Sequence, residues 1–315
     1  MFKSIWDDVK AQFQYGNMLT QLILVNTGIF ILINLVWVIL FLVLQDKDGV
    51  IVDKVLRWFM ASHDPWHNLT RPWTTITYMF LHKDVWHYAW NMLFLYWYGR
   101  LLQDFLGTRR TLPLYVFGGF VGFLFYILSH LIVPNFVGLY CLGASAAVWA
   151  VTMATTILRP DHIIHLIFLG AVRLKYITAV LIVLNMIAIP QGNTGGQIAH
   201  VGGMLAGWYF IYLLREKGYD LAVPFNKVWD KIASVFSPFL GKWFSNPQLT
   251  TSYKSGSKSD WESYRHGRSK RKTSATKGKE LTEEVIDEIL DKINRSGYDS
   301  LSKEEKEHLF KYSKK

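Results

Sequence analysis

The chain has 315 residues and a formal net charge of +10, yet 51% of it is hydrophobic and only 18% charged, with the charges crowded toward the C-terminal third. An apolar body with a polar tail excludes an ordinary water-soluble globule and makes the body a membrane protein, rich in the Trp, Tyr and Phe that favour bilayer interfaces. The lone cysteine, Cys141, excludes an internal disulfide, and nothing in the pattern calls for a nucleic-acid partner.

Residues 1 to 20 place Phe2, Trp6, Val9 and Phe13 at helical spacing with Asp7, Asp8 and Lys10 between them, a short helix lying on the membrane surface. Leu22 to Leu44 is almost uncharged and long enough to cross about 30 Å of hydrocarbon; it is too long for a signal-peptide core and reads as an anchor. Residues 45 to 83 mix charges (Asp46, Lys47, Asp53, Arg57) with aromatics (Trp58, Trp66, Trp73, Tyr78), so they form a structured loop with short helices half sunk in the outer interface.

Further spans follow at Trp86 to Leu102, Leu112 to Val133, Ala144 to Leu158, Leu174 to Ile189 and Gly196 to Leu214. With the N-terminus inside, Arg100, Arg109, Arg110, Arg159, Arg173, Lys175, Arg215 and Lys217 all face the cytoplasm, while the outer loops 134 to 142 and 190 to 195 hold no Lys or Arg. The expected architecture is an all-α membrane protein of six spans over 21 to 215, with both termini cytoplasmic.

The fourth span has only 15 residues, about 22 Å, so its first residues lie below the outer surface and the preceding loop dips in after them. That start reads Gly143-Ala144-Ser145-Ala146-Ala147. Small neighbours leave the Ser145 hydroxyl approachable, and a helix start offers free N–H groups to a developing oxyanion. Small residues in membrane helices equally serve as packing surfaces.

Counting from the first inner arginine of each helix separates these readings. Ser145 lies 14 residues before Arg159, His200 lies 15 before Arg215, and His87 lies 13 before Arg100. At about 1.5 Å per residue all three sit roughly 20 to 23 Å above the inner interface. Ionisable groups inside a bilayer are costly and face a cavity, so a shared depth points to a shared site. Ser145 is the candidate nucleophile and His200 its base. Ala199, Gly203 and Gly207 form a small-residue stripe that would press the sixth span onto the fourth. Trp149, one turn below Ser145, either packs or stacks on the His200 ring. His87 and Asn91, an i, i+4 pair on the second span, suit an oxyanion hole or interhelical hydrogen bonding.

Gly143-Ala144-Ser145-Ala146, Ala199-His200 followed by Gly203, His87 with Asn91, Phe80-Leu81-His82 and Arg71-Pro72-Trp73, in this order, resemble a rhomboid intramembrane serine protease. The resemblance covers residues 20 to 215. It implies the six-helix rhomboid bundle, a Ser145–His200 dyad without a carboxylate, and an oxyanion hole of His87, Asn91 and the Ser145 N–H. It also implies a frame made by the first loop and a lateral gate made by the fifth helix. Substrates would be transmembrane proteins whose helices unwind locally. Ala146 stands where the family pattern has glycine, which bears on the pocket beside the nucleophile; Trp149 and Gln103 replace a frequent tyrosine and glutamate. No metal or cofactor is required, and no His-Glu-x-x-His is present.

Residues 216 to 280 are a juxtamembrane segment followed by a basic linker, in which 253 to 280 carry nine Lys and Arg against Asp260, Glu262 and Glu280. This linker touches anionic lipid or is a solvated spacer. Residues 281 to 315 read as a helical hairpin, with Ser302 and Glu305 as a capping box, that docks on a protein partner or pairs with itself. It resembles modules on some bacterial rhomboids, which implies a bacterial plasma membrane. Two rivals remain: an inactive relative that binds transmembrane clients, and a proton or solute carrier, for which the internal symmetry is missing.

Overall fold

A computed structural model describes residues 17–133, 138–166 and 170–240, together with Asp7, Val9, Ala11, Gln12 and Ser302. Contacts divide the chain into two units, Met1–Trp261 and Glu262–Lys315. The first is described below. The linker and hairpin expected in the tail lie outside the described residues apart from Ser302, as does most of the surface helix expected over 1 to 20.

Helix α1 is Met18–Leu44, begun by Asn17, whose Oδ1 accepts from the Thr20 N–H at 2.9 Å. A run of short elements follows: α2 (Val50–Leu56), β1 (Ala61–Ser62), α3 (Pro65–Thr70), α4 (Thr74–Thr77) and a single 3₁₀ turn at Tyr78–Phe80. Then come α5 (Val85–Leu106), α6 (Thr111–Ile132), β2 (Tyr140–Cys141), α7 (Ser145–Leu158), the hairpin β3 (Ile163–Leu166) and β4 (Gly170–Arg173), α8 (Leu174–Ala188), α9 (Thr194–Tyr212) and α10 (Ala222–Leu240).

The all-α expectation needs a correction, since two antiparallel ladders are present. In one, Ala61 pairs with Cys141 and Ser62 with Tyr140; in the other, Ile163 to Leu166 pair with Arg173 to Gly170. Both arise where extended chain would otherwise leave backbone groups unpaired. The first has a structural consequence, because it ties the long first loop to the segment that leads into α7.

Among the described residues, three helical stretches are long and apolar enough to cross a membrane: Met18–Leu44, Thr108–Ile132 and Leu174–Gln191. The chain is an integral membrane protein. Helix α7 is too short for that criterion but is the most enclosed of the described α-helices, with 10 of its 14 residues buried.

Its neighbours explain why. On α9, a Cβ added at Gly203 would run into the backbone carbonyl of Ala146, and one at Gly207 into that of Ala150; on α6, Gly118 and Gly122 meet the methyls of Ala150 and Ala146 in the same way. Missing side chains let three helices approach to backbone contact, which is how van der Waals packing holds helices together where no hydrophobic drive separates protein from lipid. The first loop is pinned to α6 by two buried phenols: Tyr78 donates to the Gly119 carbonyl at 2.7 Å and Tyr115 to the Met79 carbonyl at 2.8 Å.

Packing continues past residue 215. A π turn at Leu213–Lys217 leads to Asp220, which pairs with Arg110 at 2.7 Å, and Asn226 of α10 donates to the Arg109 carbonyl at 3.1 Å. These contacts join the N-terminal end of α6 to the segment that follows α9.

Candidate active site

Helix α7 begins at Ser145, so its hydroxyl sits in the first turn, where backbone N–H groups have no carbonyl four residues back to accept them. Gly143, two residues earlier, has φ +122°, a region open to glycine, and an added Cβ would lie 2.6 Å from the His87 ring. That position therefore needs glycine twice over. The Gly143 N–H donates to the Tyr78 carbonyl at 2.9 Å, and the Ala144 N–H donates to Nε2 of buried His82 at 3.3 Å. Burial, with neighbouring His87, pushes the His82 imidazole down to about 3, so it stays neutral and able to accept. The approach to Ser145 is thus held by the Tyr78 to His82 stretch of the first loop.

His200 comes from α9, whose glycine face lies against α7. Its Nε2 is 2.7 Å from Ser145 Oγ, so the close approach brings together two groups 55 positions apart in the chain. The opposite ring nitrogen, Nδ1, is 2.7 Å from Asn185 Oδ1 on α8 and 3.1 Å from Gln197 Oε1 on α9 itself. Trp149 lies beside the ring with centroids 6.2 Å apart at 37°, tilted and not stacked. The orientation of His200 rests on hydrogen bonds through Nδ1, with Trp149 as a flank.

A cavity of about 510 Å³ opens over the pair, lined by Ser145, His200, His87, Asn91 and Trp149, with Trp90 and Phe94 of α5 among its walls. The volume is in the range that encloses a few side chains of a ligand. Helix α5 owes its start to Asp84, whose Oδ1 accepts from the His87 N–H at 2.7 Å, and this cap sets the turn on which His87 and Asn91 face the cavity. Asn91 Nδ2 donates to the His87 carbonyl at 2.8 Å, which fixes the amide in place. Cys141 lies at the cavity edge, its thiol pushed up to about 12 by desolvation, which keeps it protonated and unreactive.

Of the candidate site residues, Ser145, His200, His87, Asn91, Trp149 and Gly143 line this one cavity, and Gly203 packs α9 against the Ala146 carbonyl. Ala146, which replaces a glycine of the family pattern, turns its methyl toward Gly122 of α6, where the missing Cβ leaves room. Sequence reasoning passed over Asn185, Gln197 and the contact of His82 with Ala144. The signal for Asn185 was a single amide in an otherwise apolar stretch: it lies 12 residues after Arg173, about 18 Å by the same ruler, close to the level of Ser145.

Two stretches of the chain match known protein families. Residues 69–217 match the model of the Rhomboid domain, and residues 275–315 match a family of unknown function (DUF6576). RHOMBOID-like protein 12, mitochondrial, of Arabidopsis thaliana is 31% identical over 158 residues, which cover 46% of this chain and 47% of that relative, about half its length. The serine, the histidine and the glycine-lined seam between their helices therefore lie within a rhomboid domain that this chain carries over residues 69–217, followed by a C-terminal extension.

Proposed function

We propose that the chain is an intramembrane serine endopeptidase that cuts peptide bonds in or near the transmembrane helices of other membrane proteins. The observation that carries this reading is the 2.7 Å contact between Ser145 Oγ and His200 Nε2 at the floor of an open cavity. A hydroxyl is a weak nucleophile unless an adjacent base takes its proton, and His200 Nε2 stands within hydrogen-bond reach of this one.

In the proposed reaction His200 Nε2 accepts the Ser145 proton as Oγ bonds to the substrate carbonyl carbon. The negative charge that develops on the carbonyl oxygen is received by the Ser145 N–H at the helix start, by the Asn91 amide and by His87. The C–N bond then breaks, with Nε2–H giving its proton to the leaving amine, and an acyl-enzyme remains on Ser145. A water molecule, deprotonated by the same nitrogen, attacks the ester carbonyl; the C–Oγ bond breaks, Nε2–H returns its proton to Ser145 Oγ, and the acid product leaves. No metal or cofactor enters any step.

A substrate helix hides its peptide bonds behind its own hydrogen bonds, so cleavage requires local unwinding near small or helix-breaking residues. The 14-residue length of α7, about 21 Å, supports a site sunk below the outer surface of a six-span bundle with both termini cytoplasmic. A bacterial plasma membrane is the proposed location, and the tail is proposed to contact anionic lipid or a protein partner.

The test is cleavage of a fluorescent transmembrane substrate by the purified full chain in detergent. Ser145→Ala and His200→Ala are each expected to reduce cleavage to background. Cleavage that persists in both would exclude the dyad, and a wild type that binds but cuts no candidate substrate would mark the chain as a client-binding relative.

A further inference from the structure

The proposed dyad leaves one ring nitrogen of its base unaccounted for, and the structure provides that nitrogen with a partner from a third helix. Asn185 is 5% exposed and stands on α8, a helix whose other buried residues are Leu174 and Thr178. Its Nδ2 donates to the backbone carbonyl of Gln197 at 3.2 Å. A carbonyl can only accept, so the amide is oriented with NH₂ toward Gln197 and the oxygen toward His200. Oδ1 then faces Nδ1 at 2.7 Å and must accept from it.

The consequence reaches the nucleophile. With the ring proton held on Nδ1, the lone pair of a neutral imidazole lies on Nε2, which is the atom 2.7 Å from Ser145 Oγ. The reverse tautomer would set an N–H against the Ser145 hydroxyl and a lone pair against the Asn185 oxygen, losing both the base and a hydrogen bond. Gln197 Oε1, at 3.1 Å from Nδ1, is a second acceptor for the same proton.

Resting on the protease reading, we infer that Asn185 is a positioning residue for His200: a neutral amide on α8 that selects the Nδ1–H tautomer and aims Nε2 at Ser145. It does for the base what a buried carboxylate does in a three-membered site, but without a charge, which a site sunk in a low-dielectric bundle would have to compensate. During reaction the same oxygen accepts from Nδ1–H of the imidazolium, so the contact persists through the step in which the ring is charged.

Three variants of the full chain test this against a fluorogenic transmembrane peptide with small residues near its outer end. Asn185→Leu keeps the number and branching of side-chain heavy atoms and removes the acceptor; Asn185→Asp keeps an acceptor oxygen at the same reach; Asn185→Leu with Gln197→Leu removes both acceptors. The single leucine variant is expected to lower kcat at least about 10-fold with little change in KM, yet far less than the roughly 10,000-fold cost of a wrong tautomer at a serine–histidine site, since Gln197 remains. Asn185→Asp should recover most of that loss, and the double variant should lose more than the single one.

The second readout needs no change at Asn185: ¹⁵N imidazole shifts of His200 in the wild type, assigned by difference from His200→Ala, should report the Nδ1–H tautomer. A wild type in the Nε2–H form, or a folded Asn185→Leu whose kcat stays within about twofold of wild type, would overturn the inference while leaving the protease reading intact. Cleavage retained by Ser145→Ala in the same assay would instead bring down the protease reading itself.

Discussion

Helices α9 and α8 both flank α7, and both place a side chain on the proposed base, but they are fastened in opposite ways. Along α9 the contact is backbone against backbone: Gly203 and Gly207 sit on the carbonyls of Ala146 and Ala150, with no side chain between to yield. Along α8 only three of 15 residues are buried. Val180, Val183, Leu184 and Ile187 are each more than half exposed, and two of the three buried side chains are polar. Thr178 shares hydrogen bonds with Thr156 at 2.7 Å and Tyr98 at 3.2 Å, and Asn185 holds His200. A helix packed through glycine cannot shift without separating many atom pairs at once, whereas one held by two polar contacts needs only to exchange those bonds. On the proposed reading, nucleophile and base are therefore carried by the rigid seam, and the aim of the base is set by the looser helix.

The largest way to break this contrast is Gly203→Ala. The added methyl meets a backbone carbonyl, so α7 and α9 must part, at a cost of about 1–3 kcal/mol or more. Because Ser145 sits one residue before Ala146, displacing the pair by about 1 Å should cut cleavage by roughly 100-fold. Gly28→Ala in α1 is the matched control, since nothing lies within 4 Å of its added Cβ. There the helix should gain about 0.5–1 kcal/mol. Thermal unfolding in detergent, read beside cleavage of the fluorogenic peptide, separates the two.

His82 gives the next largest effect, and it carries a pH signature. Its ordinary value of 6.5 is lowered to about 3 by burial and His87, so the folded form holds it neutral while the unfolded chain protonates it below 6.5. Between those values the unfolded state binds the extra proton, so stability is complete above about pH 6.5 and falls as pH drops toward 3, by up to about 1.4 kcal/mol per unit. His82→Gln offers an acceptor to the Ala144 N–H but does not titrate. Its unfolding free energy should therefore decline less steeply from pH 6.5 to 4.5 than that of the wild type, and parallel slopes would show that this histidine is not the group responsible. His82→Leu leaves the Ala144 N–H without its acceptor and should cost about 1–3 kcal/mol at pH 7.5.

Much of this arrangement was legible in the sequence because depth in a membrane is nearly a linear coordinate. Ser145, His200 and His87 could be ranked against Arg159, Arg215 and Arg100, and the glycine stripe at 199, 203 and 207 named the face that would bring two of them together. What could not be read was rotation about the helix axes and the company of each polar group. Asn185 lies at nearly the right level, but whether it faces lipid, Thr152 or His200 depends on how α8 turns. The pairing of Ala61 with Cys141 joins segments 80 positions apart with no periodic pattern to announce it. The partner of His82 is a backbone N–H, which no side-chain motif encodes. The turn that carries Trp149 and the ring it flanks are legible in the sequence, but the 37° tilt between the two rings is not.

Thr178→Val sharpens the contrast within α8 itself. It removes the inner hydrogen bonds and leaves the Asn185 contact in place, so it should cost about 1 kcal/mol of stability with kcat close to wild type. A fall in kcat comparable to that of Asn185→Leu would mean that seating α8 anywhere along its length, and not the amide alone, aims the base.

The smallest expected effect tests the claim that the outward face of α8 does nothing for the site. Val183 lies two residues before Asn185 and is 56% exposed. In Val183→Ala the lost methyls trade protein contacts for contacts with lipid tails or detergent of similar character, and alanine is the better helix former, so the net change should lie within about 0.5 kcal/mol. The kcat should also be unchanged, because residues two apart on a helix point to different sides and Val183 cannot reach the ring that Asn185 holds. If Val183→Ala nevertheless lowered kcat as Asn185→Leu is expected to, the position of α8 would be maintained by its lipid-facing side chains, and the division between a rigid α9 and a helix held by two polar contacts would not stand.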